Sequence, residues 1–140
     1  MWRLIWLSLG FVLCIATGKA QSCTDLVGTW QNELGSHLVI TGITADHRLE
    51  GEYRSASGVD GATFSLVGWI NRPTTSDQAL AIAFSVRWEG YGSITSWTGS
   101  CDVDENGPRI STLWHLVRPE TTHPWERIIT NNSTFRPVKE

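Results

Sequence analysis

From Ala79 to Trp88 the chain alternates strictly. Leu80, Ile82, Phe84, Val86 and Trp88 are large and apolar, whereas Ala79, Ala81, Ala83, Ser85 and Arg87 are small or polar. A period of two separates these sets onto opposite faces, so the segment predicts a strand with one buried face. Similar patterning predicts further strands over 27–34, 37–44, 48–55, 63–70, 93–103, 109–117 and 125–135. Turn-forming residues lie between them: Gly35, Asp46, 58–61, 73–77, 90–92, Asn106–Gly107 and 119–124. Short strands joined by short loops predict an all-β, antiparallel up-and-down meander. Eight such strands close into a barrel just wide enough for one small ligand. A sandwich is the alternative, but the immunoglobulin layout fits poorly. Trp30 follows Cys23 too closely, and no Greek-key return is visible.

The first twenty residues read differently. Arg3 is followed by an apolar run over 4–16, broken only by Ser8 and Gly10, and then by the small residues Gly18 and Ala20. This is the pattern of a secretory signal peptide cleaved after Ala20. The run is shorter than the ~20 residues a membrane-spanning helix needs. Residues 21–140 then form one domain, expected outside the cell. Cys14 leaves with the signal, so Cys23 and Cys101 remain, and an even pair in an oxidising compartment reads as one disulfide. Without Arg3 and Lys19 the 11 basic residues fall to 9 against 14 acidic ones, a net charge of −5. No Lys/Arg cluster interrupts this acidity, which excludes the electrostatic footprint of a nucleic-acid binder.

The polar residues that share parity with the tryptophans are informative. Ser93, Thr95 and Trp97 share one face of their strand, as do Thr112, Trp114 and Leu116 on the next. Tyr53 pairs in this way with Ser55, and Trp30 with Asn32. An ordinary core would place Val, Leu and Ile there. A buried hydroxyl or amide costs ~1–3 kcal/mol when nothing pairs with it. Several on one face therefore suggest a compact, polar-headed ligand between aromatic walls. Parity shows which residues share a face but not which face is buried, so a satisfied polar network or a solvent-facing side remains open.

Other motifs carry less. Asp102-Val-Asp104-Glu-Asn106-Gly107 opens like a calcium loop, but its twelfth position is Leu113 rather than a bidentate Glu. It reads as a hairpin turn at Asn106–Gly107. His37, His47, His115 and His123 show no metal-ligand spacing, and no nucleophile elbow, zinc motif or phosphate loop occurs. Asn131-Asn-Ser133 and Asn132-Ser-Thr134 are overlapping glycosylation sequons. They lie inside a predicted strand, where folding hinders modification, and Asn131 shares the inward parity of Ser133.

Six segments, in order, resemble the avidin family: 23–36 with Gly28, Trp30, Asn32 and Ser36; 49–58 with Gly51, Tyr53 and Ser55; 84–88 with Trp88; 93–101 with Ser93, Thr95, Trp97, Gly99 and Cys101; 110–116 with Thr112, Trp114 and Leu116; and 125–135 with Trp125 and Phe135. Gly-x-Trp alone is a weak signal, since lipocalins also open that way; the ordered set is specific. The resemblance implies an eight-stranded barrel holding biotin at one open end. It assigns Asn32, Ser36 and Tyr53 as donors to the ureido oxygen and Ser55 as acceptor from one ureido N–H. It places Thr95 against the thioether sulfur and Trp88, Trp97, Trp114 and Leu116 around the bicyclic ring. Ser93 and the backbone of 56–62 would hold the valerate carboxylate. Trp125 would cap the site of a neighbouring subunit in a homotetramer.

Two departures stand out. Eight positions past Trp125 the family has Asp or Asn, accepting the second ureido N–H, where this chain has Ser133. Asn132 cannot substitute, because a one-residue slip turns its side chain to the other face. Segment 89–92 also lacks the Phe-Ser or longer loop of better-known relatives. The expectation is a secreted, non-catalytic biotin binder, possessing no cofactor, no nucleic-acid partner and no membrane partner, that deprives microbes of biotin. A lipocalin-type carrier would instead need a purely apolar lumen. A carbohydrate-binding β domain would need exposed tryptophan faces.

Overall fold

The computed structural model describes residues 21–57, 61–75 and 77–138. The signal-peptide reading of 1–20 lies outside the described residues. Eight antiparallel strands follow in chain order: β1 (Gly28–Asn32), β2 (His37–Ile43), β3 (Arg48–Arg54), β4 (Thr63–Asn71), β5 (Leu80–Trp88), β6 (Ser93–Asp104), β7 (Gly107–Val117) and β8 (Ile128–Pro137). Each strand pairs with the next, and β8 returns to β1 through Trp30↔Pro137, Gln31↔Arg136 and Asn32↔Phe135. The barrel is therefore closed, which leaves no unpaired sheet edge.

The alternation sets the inside. Leu80, Ile82, Phe84 and Val86 are all buried, as are Phe64, Leu66 and Ile70 on β4. Trp30 is fully buried, and its indole N–H donates to Leu26 O at 2.8 Å. Gly68 and Gly99 share the inward parity of their strands, and neighbouring backbone crosses very close to each. A Cβ on Gly99 would sit 1.9 Å from Ser111 O, and one on Gly68 would sit 2.0 Å from Ala83 O. Only glycine admits so close a backbone approach.

Most boundaries shift by a residue or two, and three of the shifts have a visible cause. β1 stops at Asn32 rather than running to Leu34, because Asn32 Oδ1 accepts the backbone N–H groups of Leu34 and Ser36 and turns the chain. The β6–β7 hairpin turns on Glu105 and Asn106, one residue earlier than expected, since Asp104 already pairs with Gly107. Trp125 is not in β8. It lies in a short 3-10 turn, Pro124–Glu126, and the strand begins at Ile128. Pro124 at its first position, with its fixed φ, suits a helical turn better than a strand.

In an up-and-down barrel alternate connections lie at the same end. The β1–β2, β3–β4, β5–β6 and β7–β8 loops therefore share one end and the remaining turns the other. The far end is tied by the Cys23–Cys101 disulfide, which joins residues 78 positions apart. Near the same end, Asp102 pairs with Arg109, and Asp104 with both Arg109 and Arg136. The exterior is divided by charge. On β3 the outward residues Arg48, Glu50, Glu52 and Arg54 are all charged, whereas β4 presents Thr63, Ser65, Val67, Trp69 and Asn71. The middle of that surface continues without charge through Ala81, Ala83 and Ser85 on β5, Ile94, Ser96, Thr98 and Ser100 on β6, and Ser111, Leu113, His115 and Val117 on β7, with Arg87 at one end and Asp102, Asp104 and Arg109 at the other. Among the described residues no helix is long and apolar enough to cross a membrane.

Candidate functional site

Asn32 ends β1, and its amide orientation follows from its partners. Oδ1 accepts from Leu34 N at 3.1 Å and Ser36 N at 2.9 Å, which turns Nδ2 away from the backbone as a donor. Nδ2 reaches Ser133 Oγ on β8 at 3.3 Å, across the β1–β8 closure. Ser36 follows the turn, and its Oγ accepts Ala56 N at 3.1 Å, so the β1–β2 loop holds the β3–β4 loop. Burial pushes the Tyr53 phenol above its ordinary pKa of 10.0; a hydrogen bond with the Ser36 hydroxyl pulls the other way, and Glu33 adds to the rise. Tyr53 therefore remains a neutral hydroxyl at physiological pH.

The opposite wall is built by β5, β6 and β7. Trp97 stacks on Phe84 with ring centroids 4.9 Å apart and planes 13° from parallel. Tyr53 lies tilted against the same indole, also at 4.9 Å. Trp88 is half-buried at the end of β5, edge-on to Tyr53, and donates its indole N–H to Thr95 Oγ1 at 2.7 Å. Cross-strand register places Trp97 beside Trp114 and Thr95 beside Leu116. The Trp114 indole N–H meets Ser133 Oγ at 3.3 Å, and Thr112 Oγ1 donates to Ser133 O at 3.0 Å.

Asn32, Ser36, Tyr53, Thr95, Trp97 and Ser133 are each less than a tenth exposed, so the face left open by parity is the inner one. Ser93 faces inward at the rim, opposite Trp88 in the β5–β6 register, and its hydroxyl donates to Tyr91 O at 3.3 Å. A concavity of 330 Å³, lined in part by Trp88, Gly90, Gly92 and Ser93, lies at that hairpin. Ser55 is half-buried beyond the end of β3 and hydrogen-bonds into its own loop, donating to Ser57 O at 2.7 Å. Trp125 stands apart from the group. It is 76% exposed and stacked on His123 at 4.5 Å in the β7–β8 loop, at the same end of the barrel.

The indole N–H of Trp97 is buried with no acceptor among the described residues. A buried unpaired donor costs ~1–3 kcal/mol. No group of three or more metal-ligating side chains occurs among the described residues. Sequence parity had placed Thr112 on this face without giving it a role; the structure makes it the support of the Ser133 backbone. Phe64 and Phe135, which pack edge-on against Trp88 and Tyr53, carried no signal beyond ordinary strand alternation.

The sequence profile of the avidin family matches residues 20–138. Avidin of Gallus gallus is 31% identical over 117 residues, covering 81% of this chain and 74% of that protein. Avidin-related protein 4/5 of Gallus gallus is 27% identical over 136 residues, covering 94% and 90%. Two solved structures have the same fold at 27% identity, each covering 84% of this chain and all of the other. A biotin binding protein from chicken superposes with a TM-score of 0.74, and Xenavidin with 0.72.

Proposed function

The chain belongs to the avidin family, and from that premise we propose that it is a biotin-binding protein with no cofactor and no catalytic step. The observation that carries this reading is the buried set Asn32, Ser36, Tyr53 and Ser133 at one end of the lumen, beside Trp88, Trp97 and Trp114. A ureido group is small and strongly polar, so short preplaced hydroxyls and an amide match it without the ordering cost of long side chains. Asn32 Nδ2 keeps a second hydrogen, and the Tyr53 phenol and Ser36 hydroxyl, hydrogen-bonded to each other without ligand, both become donors once a ureido oxygen takes the place of that bond. Large rigid indoles exclude water around those bonds. In this reading Thr95 meets the thioether, Leu116 packs beside the ring, and Ser93 serves the valerate carboxylate.

Subunit association is part of the same reading. The exterior of β4–β7 exposes Trp69, Val67, Ile94, Leu113 and Val117 between charged margins, and Ile128 continues it on β8. Exposed apolar side chains clustered in this way suit an interface between copies of the chain. Four copies joined in this way would let Trp125, too exposed to serve its own lumen, close a neighbour's. The disulfide and the signal-like pattern of the first twenty residues suit secretion, from which deprivation of microbes of biotin would follow.

Calorimetric titration with biotin at neutral pH tests the proposal. One ligand bound per chain, with a nanomolar or tighter Kd and a raised unfolding temperature, is the expected result. No heat and no thermal stabilisation would overturn it, and the carbohydrate reading would come next.

A further inference from the structure

Ser133 stands where the family resemblance calls for a carboxylate or an amide oxygen, and its neighbours decide what it can offer. Asn32 cannot present its oxygen to Ser133, because Oδ1 is committed to the N–H groups of Leu34 and Ser36. The atom 3.3 Å from Ser133 Oγ is therefore Nδ2, a donor. The Trp114 indole nitrogen, also at 3.3 Å, is a donor only. A hydroxyl has two lone pairs and one proton. Two N–H groups aimed at the same oxygen engage both lone pairs and bar the proton from either direction. Ser133 is 3% exposed, and none of its hydrogen bonds among the described residues takes that proton.

Ser55 is arranged the other way round. Its hydroxyl donates to Ser57 O at 2.7 Å and accepts Ser57 N–H at 3.3 Å, which leaves a lone pair as its remaining capacity. A cyclic urea has an N–H on each side. It would meet an acceptor at Ser55 and a second donor at Ser133.

Resting on the biotin reading above, we propose that Ser133 acts as a hydrogen-bond donor to the ligand. It makes this lumen selective for a half-substituted headgroup: a ring of biotin's shape with N–H toward Ser55 and oxygen toward Ser133, which is a cyclic carbamate. The pocket thereby relaxes the demand for the second N–H that an Asp or Asn at this position imposes. Two opposed N–H and O–H groups in a buried site leave both desolvated and unpaired, whereas oxygen in place of the nitrogen turns the clash into a contact.

The two carbamate isomers of biotin, each with a different ureido nitrogen replaced by oxygen, provide the test. Their Kd values and that of biotin are measured by competition on the full protein, on Ser133→Asp and on Ser133→Asn. The unaltered protein is expected to bind the isomer with oxygen toward Ser133 about tenfold more tightly than biotin, and equal or weaker binding of that isomer would overturn the donor assignment. It should lose about tenfold or more on the other, ~1.4 kcal/mol. Both variants should lose about tenfold or more on both isomers. Biotin bound well by the unaltered protein, with both carbamates rejected or both tolerated, would overturn the donor assignment and leave the biotin reading standing. Binding of neither biotin nor either isomer by any of the three proteins would remove the biotin reading and this inference with it.

Discussion

Trp88 at the end of β5 donates its indole N–H to Thr95 Oγ1 on β6 at 2.7 Å. The hydroxyl assigned to the ligand's sulfur thus also holds in place an indole assigned to the wall. Val86 on β5 pairs directly with Thr95, so the bond runs diagonally across the ladder to the rim, where Trp88 is only half-buried. Thr95→Val preserves shape and strand preference while removing the acceptor. The variant should fold normally and bind biotin more weakly by ~1 kcal/mol, about fivefold. Calorimetry gives the affinity, and a changed tryptophan emission in the free protein would report the released indole. Unchanged affinity would mean that Trp88 is held by packing against Phe64 and Tyr53 alone.

Ser55→Ala removes a site hydroxyl whose proton is already engaged within its own loop. Affinity for biotin should fall by ~1–3 kcal/mol, because a ureido N–H would be buried without an acceptor. The unfolding temperature of the free protein should move little, since Ser55 is only half-buried at the end of a strand. A large loss of stability with intact affinity would assign Ser55 to the loop rather than to the ligand.

Gly99 tolerates no side chain. Its Cβ would lie 1.9 Å from Ser111 O and 2.8 Å from Thr112 Cα, both backbone atoms of β7. Relief requires separating β6 from β7 beneath the Trp97–Trp114 pair. Gly99→Ala should therefore lower stability by ~3 kcal/mol or more, as overpacking against rigid backbone does. Gly42→Ala provides the control, because no atom lies within 4 Å of its Cβ position. Thermal or denaturant unfolding distinguishes the two.

The Cys23–Cys101 link closes a loop spanning 78 positions, for which chain entropy gives an upper figure of ~4–5 kcal/mol. Unfolding under reducing conditions should occur at a markedly lower temperature than under oxidising ones. Cys101 is buried beside Ile110, so Cys23→Ser is the milder way to break the bond. Equal unfolding temperatures with and without reductant would show that barrel closure alone holds this end.

Asp104 predicts how the far end responds to acid. The Arg136 hydrogen bond, then the Asn106 backbone N–H and the charges of Arg136 and Arg109, lower its carboxyl from 3.8 to about 2. A group depressed in the folded state stabilises fully above its unfolded value, and that contribution is lost as pH falls through the folded value. The loss should fall between pH 3.8 and about 2. Asp104→Asn should flatten the decline in unfolding temperature across that window while leaving neutral-pH affinity unchanged. The carboxylate is partly exposed, so the effect should also shrink in high salt.

The number of strands, their order and the residues that share each face were legible in the sequence. Side chains on a strand alternate whatever surrounds them, and the Leu80–Trp88 pattern has no other regular reading. The sequence also marked Asn32, Tyr53, Thr95, Trp97 and Ser133 as sharing faces with one another or with aromatics, since parity is a local property. Where the strands end was decided by interactions a linear pattern does not contain. The Asn32 amide cut β1 short, and Pro124 placed Trp125 in a helical turn outside β8. Which face was buried required the barrel to close, because burial depends on what the sheet wraps around. The proton on Ser133 required the most. Only the meeting of β1, β7 and β8 sets Asn32 and Trp114 against one hydroxyl, and two donors arriving from separate strands, not the residue type, determine which way it can donate.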